Sequence, residues 1–283
     1  MSMDSFCTYD TAWCPGCGNF SILDCLKTAL EELEKDPYEV LMVAGIGQAA
    51  KTPQYISANY FCGLHGRALP AAAAAKIANE KLTVIVDTGD GDGYGEGGNH
   101  FLHNIRRNVN ITHFVHDNQI YGLTKGQASP TSDEGLVTGV QVNGNYTTPL
   151  NPMLLAIAAG AGFVARAFTG NKDHLVSIMK QAIAYDGYAV VDILQPCISF
   201  NKVNTFSYYK QRVYEIDKTY DYTDKSAAFQ KAMEWGDHIP IGILYQEQRQ
   251  TFHQKNPVLK QGIPLVDKAT SLEKVEQLMK EFI

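Results

Sequence analysis

Cysteine is scarce in this chain. Six in 283 residues fall well short of a disulfide-stapled scaffold, so those present are better read as metal or cluster ligands, or as core residues. Basic charge is not in excess either: 30 acidic against 24 basic residues leave a net charge of −6, which argues against a nucleic-acid partner. No apolar run approaches the ~20 residues of a membrane span. The opening MSMDSFCTYD has neither a basic n-region nor an apolar h-region, and the expected location is the cytoplasm. No internal repeat or low-complexity segment stands out. What remains is an ordinary globular composition, with 45% hydrophobic residues, ample for a buried core.

The chain is organised around residues 82–130, which read as strand, glycine-rich turn, helix, strand and a second polar turn. The apolar run Leu82 to Val86 empties into Thr88-Gly89-Asp90-Gly91-Asp92-Gly93, where alternating glycines let backbone amides approach a ligand closely. That is a phosphate cradle. Its two carboxylates would repel a bare diphosphate, so they call for a bridging divalent cation, Mg²⁺ on hard oxygen ligands. A helix from Gly98 to Asn108 and a strand from Thr112 to His116 then lead to Asp117-Asn118. In an open α/β sheet ligands sit outside the carboxyl ends of parallel strands, which brings Asp90, Asn118 and the Ile120 carbonyl within reach of one metal. A dinucleotide site competes for the same stretch. Gly93-Tyr94-Gly95-Glu96-Gly97-Gly98 satisfies G-x-G-x-x-G after a strand and Asp117 closes the next one, although Asp90 and Asp92 would then face an unshielded pyrophosphate.

Around this stretch the α/β alternation runs from residue 20 to residue 197. Helices are expected at Phe20 to Lys35, Ala68 to Asn79, Pro152 to Gly160 and Lys172 to Tyr185, and strands at Val40 to Ala44, Phe163 to Ala167 and Ala189 to Leu194. The pattern is that of a doubly wound, mostly parallel sheet in one domain over residues 1–200. Residues 201–283 turn tyrosine-rich and amphipathic and no longer alternate strand and helix. They read as an irregular C-terminal extension with helices at Asp224 to Trp235 and Ser271 to Phe282, suited to contact with another subunit. The long polar loop 123–150 marks function more often than packing, and its Lys125 is a cation near the metal loop, available to a substrate carboxylate.

Residues 11–19, TAWCPGCGN, form a knuckle whose two thiols, Cys14 and Cys17, can face one metal centre. A C-x-x-C followed by a helix also fits a thioredoxin-like redox motif. Cys25 falls on the buried face of that helix and reads as core. His100, His103, His113 and His116 lack the spacing of a helical zinc site and are expected to be structural or supporting residues.

Taken together, WCPGCGN, LHGRALP, GDGDG, DNQIYGLTKGQ and QPC resemble the β subunit of 2-oxoacid:ferredoxin oxidoreductases over most of the chain, from Trp13 to about Tyr245. The resemblance implies a thiamine diphosphate-binding fold and CoA-dependent oxidative decarboxylation of a 2-oxoacid, with electrons passed to ferredoxin. GLTKGQ is closer to the 2-oxoglutarate or broad-specificity branch. It also implies residue roles: Gly89, Asp90, Gly91, Asp92, Gly93, Asn118, Gly122, Leu123 and Thr124 at the cofactor, and His65 in LHGRA at its diphosphate. Mg²⁺ falls to Asp90, Asn118 and Ile120, and a 4Fe-4S cluster to Cys14, Cys17 and Cys197. Where the family carries a further cluster cysteine, this chain has Gln48, and Cys62 is a further candidate ligand. A three-cysteine site can hold a trinuclear cluster, take a fourth ligand of another kind, or lack a cluster. The glutamate that activates thiamine comes in such relatives from a separate α subunit, so this chain alone is expected to be inactive. Two other functions stay open: an NAD(P)-type dinucleotide oxidoreductase, and a non-catalytic thiamine diphosphate-binding assembly subunit.

Overall fold

A computed structural model describes residues 6, 7, 9–269 and 271–282. Among them the strands are β1 (Val40–Ala44), β2 (Asn59–Cys62), β3 (Thr83–Gly89), β4 (Ile111–Asp117), β5 (Ile120–Tyr121), β6 (Gln127–Ala128), β7 (Phe163–Phe168), β8 (Tyr188–Leu194), β9 (Val213–Glu215) and β10 (Ile239–Gln246). The α-helices are α1 (Gly18–Glu32), α2 (Ala68–Ala78), α3 (Gly98–Arg107), α4 (Pro152–Ala159), α5 (Lys172–Ala184), α6 (Phe206–Lys210), α7 (Lys225–Met233), α8 (Phe252–Lys255) and α9 (Leu272–Lys280).

Eight strands form one sheet in the order β2-β1-β3-β4-β8-β7-β10-β9, and β5 with β6 makes a separate small hairpin. The first six run parallel; β10 joins β7 antiparallel, and β9 runs parallel to β10. Central strands β3, β4, β7 and β8 are buried on both faces, which explains their continuous apolar runs in place of strict alternation. Alternate residues still divide between two cores. Met42 and Ile85 face α1 and α5, packing with Ile22, Leu26, Leu30, Leu175 and Met179. Val43, Val84 and Val86 face the opposite layer, with Leu69 and Ala72 of α2, Phe101 of α3 and Met153 of α4. Alanines at 68, 72 and 73 let α2 lie close on the sheet. The result is the doubly wound, mostly parallel α/β fold that the sequence led us to expect.

Residues 201–283 depart from their reading as an irregular tail. They add β10 and β9 to the same sheet, and Tyr209, Ile239 and Ile241 form a third apolar cluster with Phe168 and Leu194 at its far edge. The helix expected at Asp224 to Trp235 is α7, capped by the Asp224 side chain, and the last expected helix is α9, capped by Ser271. The order of the strands locates the ligand-binding edge: from β1 the chain goes outward to β2 and then crosses back to β3. The carboxyl ends of β1 and β3 therefore frame a topological switch point, where open α/β sheets bind their ligands.

Candidate active site

Four chain segments leave the sheet at this edge: 45–48 after β1, 63–67 after β2, 90–97 after β3 and 118–124 after β4. Between them lies a cleft of about 90 Å³ lined by Gly47, Gln48, His65, Gly89, Gly91, Asp92, Asn118, Ile120, Gly122, Leu123 and Thr124, among others. At Gly89 and Gly47 an added Cβ would meet nothing within 4 Å, so their bareness leaves open space in the cleft. At Gly91, by contrast, a Cβ would sit 2.1 Å from the Tyr121 ring, so that glycine is required by packing.

The two carboxylates of the glycine-rich turn do different jobs. Asp92 Oδ1 accepts hydrogen bonds from the His65 ring Nδ1 (2.6 Å), the Gly66 backbone N–H (2.7 Å) and the Ile46 backbone N–H (3.1 Å). It ties the loops after β1 and β2 to the turn, which fixes the floor of the cleft and the plane of the His65 ring. Because a carboxylate can only accept, His65 Nδ1 is the donor, and its Nε2 is the nitrogen left over.

Asp90 is buried, and its Oδ2 accepts from Ser129 Oγ (2.5 Å) and Thr131 Oγ1 (2.6 Å). Thr131 Oγ1 also lies 2.8 Å from Asp117 Oδ1. One hydroxyl carries one hydrogen, so it cannot donate to both carboxyls. Burial, and the charges of Asp192 and Asp90, push Asp117 well above the carboxylate range. Thr131 Oγ1 therefore bridges the two carboxyls, with one hydrogen to share between Asp90 Oδ2 and Asp117 Oδ1. Burial also raises Asp90 itself, to about 6, against the lowering effect of its hydroxyl donors and the Gly91 N–H. A divalent cation on the carboxylate would favour its charged form, which is what a hard metal site needs.

Asn118 and Ile120 flank a residue in a strained conformation. Gln119 has a left-handed backbone (φ 57°), which costs a non-glycine residue ~1–3 kcal/mol. Four contacts hold it there: its N–H donates to Asp117 Oδ1 (3.2 Å), its Nε2 to the Thr131 carbonyl (2.8 Å), and its carbonyl and Oε1 accept from Ser132 (2.5 Å) and Tyr209 (3.1 Å). The sharp turn puts the Asn118 side chain and the Ile120 backbone beside the same cleft. Asn118 Oδ1 accepts from the Ile120 N–H (3.0 Å), and its Nδ2 donates to Gln195 (3.3 Å).

A second, smaller hollow adjoins the first. Cys14, Cys17 and Cys197 line it together with Trp13, Gln48, Asn118, Gly122 and Gln195, among others. The knuckle turns on Gly16 (φ 82°), with Cys17 N–H donating to the Cys14 carbonyl (3.0 Å), and Cys17 then caps α1. Gln195 Nε2 donates to Cys17 Sγ (3.6 Å). Burial pushes the Cys17 thiol up to about 11, helped by the nearby Cys197 and Cys14. The knuckle thus meets the loop after β8, three thiols around one hollow. Among the described residues no three His, Cys, Asp or Glu side chains converge closely enough for a single metal ion. The three sulfurs suit a larger, multi-iron group, whose donors are thiolates.

Several expected residues lie elsewhere. Cys62 stands exposed at the end of edge strand β2, its sulfur accepting from Gln54 Nε2 (3.8 Å), and does not line the thiol hollow. Lys125 is exposed in a left-handed turn (φ 82°) outside the lining of the cleft. Arg67 Nη1 sits 3.2 Å from His100 Nε2. His113 is buried between Thr88 Oγ1 and Tyr188 OH (2.8 Å each), driven down to about 3 by burial, and His116 bridges Asn19 and Asp87. Both are neutral or paired supports of β4. Cys25 is in the core. The G-x-G-x-x-G at Gly93 to Gly98 is taken up by a wide helical turn (91–96) and the start of α3, and the buried Asp117 is engaged by Thr131 and Gln119 and does not line the cleft of the glycine-rich turn. Sequence reading missed Ser129, Thr131 and Gln119; the first two stood only in a run of small polar residues in the long loop, and Gln119 lay inside DNQIYGLTKGQ without a role of its own.

A switch-point cleft with bare glycines and an oriented buried carboxylate beside it fits the thiamine diphosphate-binding class. The family described as thiamine pyrophosphate enzyme, C-terminal TPP binding domain, matches residues 40–193, and the family of the C-terminal part of the pyruvate ferredoxin oxidoreductase beta chain matches 197–261. The β subunit of the 2-oxoacid:ferredoxin oxidoreductase of Saccharolobus solfataricus is 47% identical over 249 residues, 83% of this chain and 82% of the relative. The 2-oxoglutarate synthase subunit KorB of Methanocaldococcus jannaschii is 34% identical over 221 residues, covering 75% and 82%. A solved 2-oxoglutarate:ferredoxin oxidoreductase from Magnetococcus marinus, with 2-oxoglutarate, coenzyme A and succinyl-CoA bound, superimposes with a TM-score of 0.91 at 35% identity, covering 98% of this chain and 96% of that one. The chain belongs to the β subunits of the 2-oxoacid:ferredoxin oxidoreductases.

Proposed function

We propose that this β subunit serves CoA-dependent oxidative decarboxylation of 2-oxoglutarate in the cytoplasm, passing electrons to ferredoxin. The observation that carries the reading is that the cofactor cleft and the three-thiol hollow share a wall: Gln48, Asn118 and Gly122 line both. A redox group beside a thiamine cleft is what electron removal after decarboxylation requires.

Asp90, Asn118 and the Ile120 carbonyl would hold Mg²⁺, with Ser129 and Thr131 fixing the Asp90 carboxylate so that little reorganisation is needed on binding. The backbone of Gly89, Gly91 and Asp92, together with Gly122, Leu123 and Thr124, would cradle the diphosphate, with Gly93 packed against Thr88 and His113 behind it, and His65, oriented by Asp92, would offer its second ring nitrogen. Bound thiamine diphosphate supplies a carbon nucleophile and an electron sink at the keto carbon. Lys125 is the cation of this loop available to a substrate carboxylate. Cys14, Cys17 and Cys197 would hold the 4Fe-4S cluster.

The cleft itself argues for a partner. Its volume of about 90 Å³ is small beside the ~300 Å³ or more of a ligand-enclosing pocket, so this chain provides one wall of the site. An α-type subunit would close it and bring the activating glutamate. The choice of 2-oxoglutarate over other 2-oxoacids follows the names of relatives and the ligands of the solved neighbour. Anaerobic ferredoxin reduction tests the reading. CoA- and 2-oxoglutarate-dependent turnover is expected from the complex with an α subunit and not from this chain alone; full turnover by the isolated chain, or a complex that turns over another 2-oxoacid while ignoring 2-oxoglutarate, would overturn it.

A further inference from the structure

The residue that breaks the cysteine pattern is placed as a ligand would be. Gln48 follows β1, and its side chain lines the hollow of Cys14, Cys17 and Cys197. Its backbone carbonyl accepts from Trp13 Nε1 (2.8 Å), which locks it to the residue before Cys14. Its side-chain oxygen, Oε1, is buried without any hydrogen-bond partner. A buried amide oxygen left unsatisfied is costly, and such an atom calls for an absent partner. Gly122 borders both groups: a Cβ placed on it would lie 3.9 Å from Cys197 Sγ and 4.0 Å from Gln48 Cγ, which puts these two atoms within 8 Å of each other. Cys62, the competing donor, is exposed on the edge strand and outside this lining.

We propose that Gln48 Oε1 is the fourth donor of the iron–sulfur site, so that three irons carry thiolates and the fourth faces a neutral oxygen on the wall shared with the cofactor cleft. The proposal rests on the assignment of the three cysteines to a cluster. A carboxamide is harder and more weakly bound than a thiolate, and it leaves the cluster one negative charge short of an all-cysteine site. The oxygen-facing iron is therefore the labile one, and the reduction potential lies above that of the four-thiolate equivalent.

The test uses the anaerobic complex with the α subunit, as wild type, Gln48→Cys and Cys62→Ser, followed by iron and sulfide analysis, Mössbauer and EPR spectroscopy. Ferricyanide should take one electron as the labile iron leaves, [4Fe-4S]²⁺ → [3Fe-4S]⁺ + Fe²⁺ + e⁻. Wild type and Cys62→Ser should give the trinuclear EPR signal readily, and Gln48→Cys on the order of tenfold less at equal dose, with a lower reduction potential. The Mössbauer spectrum of the wild type should show one iron distinct from the other three. A wild-type cluster with equivalent irons that resists ferricyanide as well as Gln48→Cys, or loss of the cluster in Cys62→Ser, would overturn the role of Gln48 while leaving the cluster. Absence of iron and sulfide from both wild type and Gln48→Cys would overturn the cysteine assignment itself, and this proposal with it.

Discussion

Replacing Thr131 by valine removes one hydrogen from beside the proposed Mg²⁺ ligand Asp90 and little else. The hydroxyl lies 2.6 Å from Asp90 Oδ2 and 2.8 Å from Asp117 Oδ1, so its loss removes one hydrogen-bond partner from Asp90 and leaves Asp117 Oδ1 with the Gln119 N–H. A hydrogen bond to a charged group contributes ~1.5–3 kcal/mol. Ser129 still holds Asp90 from the other side at 2.5 Å, so the lower half of that range applies. At ~1.4 kcal/mol per tenfold, the dissociation constant for thiamine diphosphate at saturating Mg²⁺ should rise on the order of tenfold. Calorimetric titration of the assembled complex measures it, with a melt of the cofactor-free complex to show that folding persists. Thr131→Ser, which keeps the hydroxyl, should bind nearly as wild type. Unchanged affinity in Thr131→Val, or an equal loss in Thr131→Ser, would refute the view that this hydroxyl aims the carboxylate.

Asp90→Ala and Asn118→Ala should each cost on the order of 100-fold or more in Mg²⁺-dependent thiamine diphosphate binding, measured by the same titration. Gly89→Ala and Gly91→Ala should separate cleft from core: the first, whose Cβ meets nothing, should melt like wild type yet bind cofactor poorly, whereas the second, 2.1 Å from Tyr121, should lower the melting temperature as overpacking by ~1–3 kcal/mol does. With the Asp90 pKa raised from 3.8 to about 6 in the metal-free fold, its stability contribution is present at low pH and lost as pH rises towards 6. Mg²⁺ needs the ionised form, so its affinity should climb about tenfold per pH unit below 6 and level off above, a profile that titrations from acid to neutral pH would reveal or deny.

The parts of this molecule written in local sequence were legible. Strand β1 was expected at its observed bounds, and the turn of Gly89 to Gly93 lies at the carboxyl end of β3 because a β-branched run must end where glycines and carboxylates begin. Gln48 stood out as a departure and proved to face the three thiols. The C-terminal strands were not legible. β10 carries Pro240 and Gly242 (φ 136°) and a bulge between Ile243 and Tyr245, all features that weigh against a strand until pairing with β7 overrides them. Nor could Thr131 be seen, since a threonine in a polar loop gains its meaning only when the fold lays it across Asp90 and Asp117. Spacing brought Asp90 and Asn118 to one edge, but the strained Gln119 that aims the second loop is a tertiary feature, held by contacts from Thr131, Ser132 and Tyr209.

The most direct test of the account is the cofactor content of the gel-filtered complex between this chain and an α subunit, prepared with Mg²⁺ and thiamine diphosphate present. About one thiamine diphosphate and one Mg²⁺ should remain per β subunit in the wild type and neither in Asp90→Ala. A complex that retains no thiamine diphosphate under Mg²⁺, or holds NAD tightly in its place, would contradict the account at its centre.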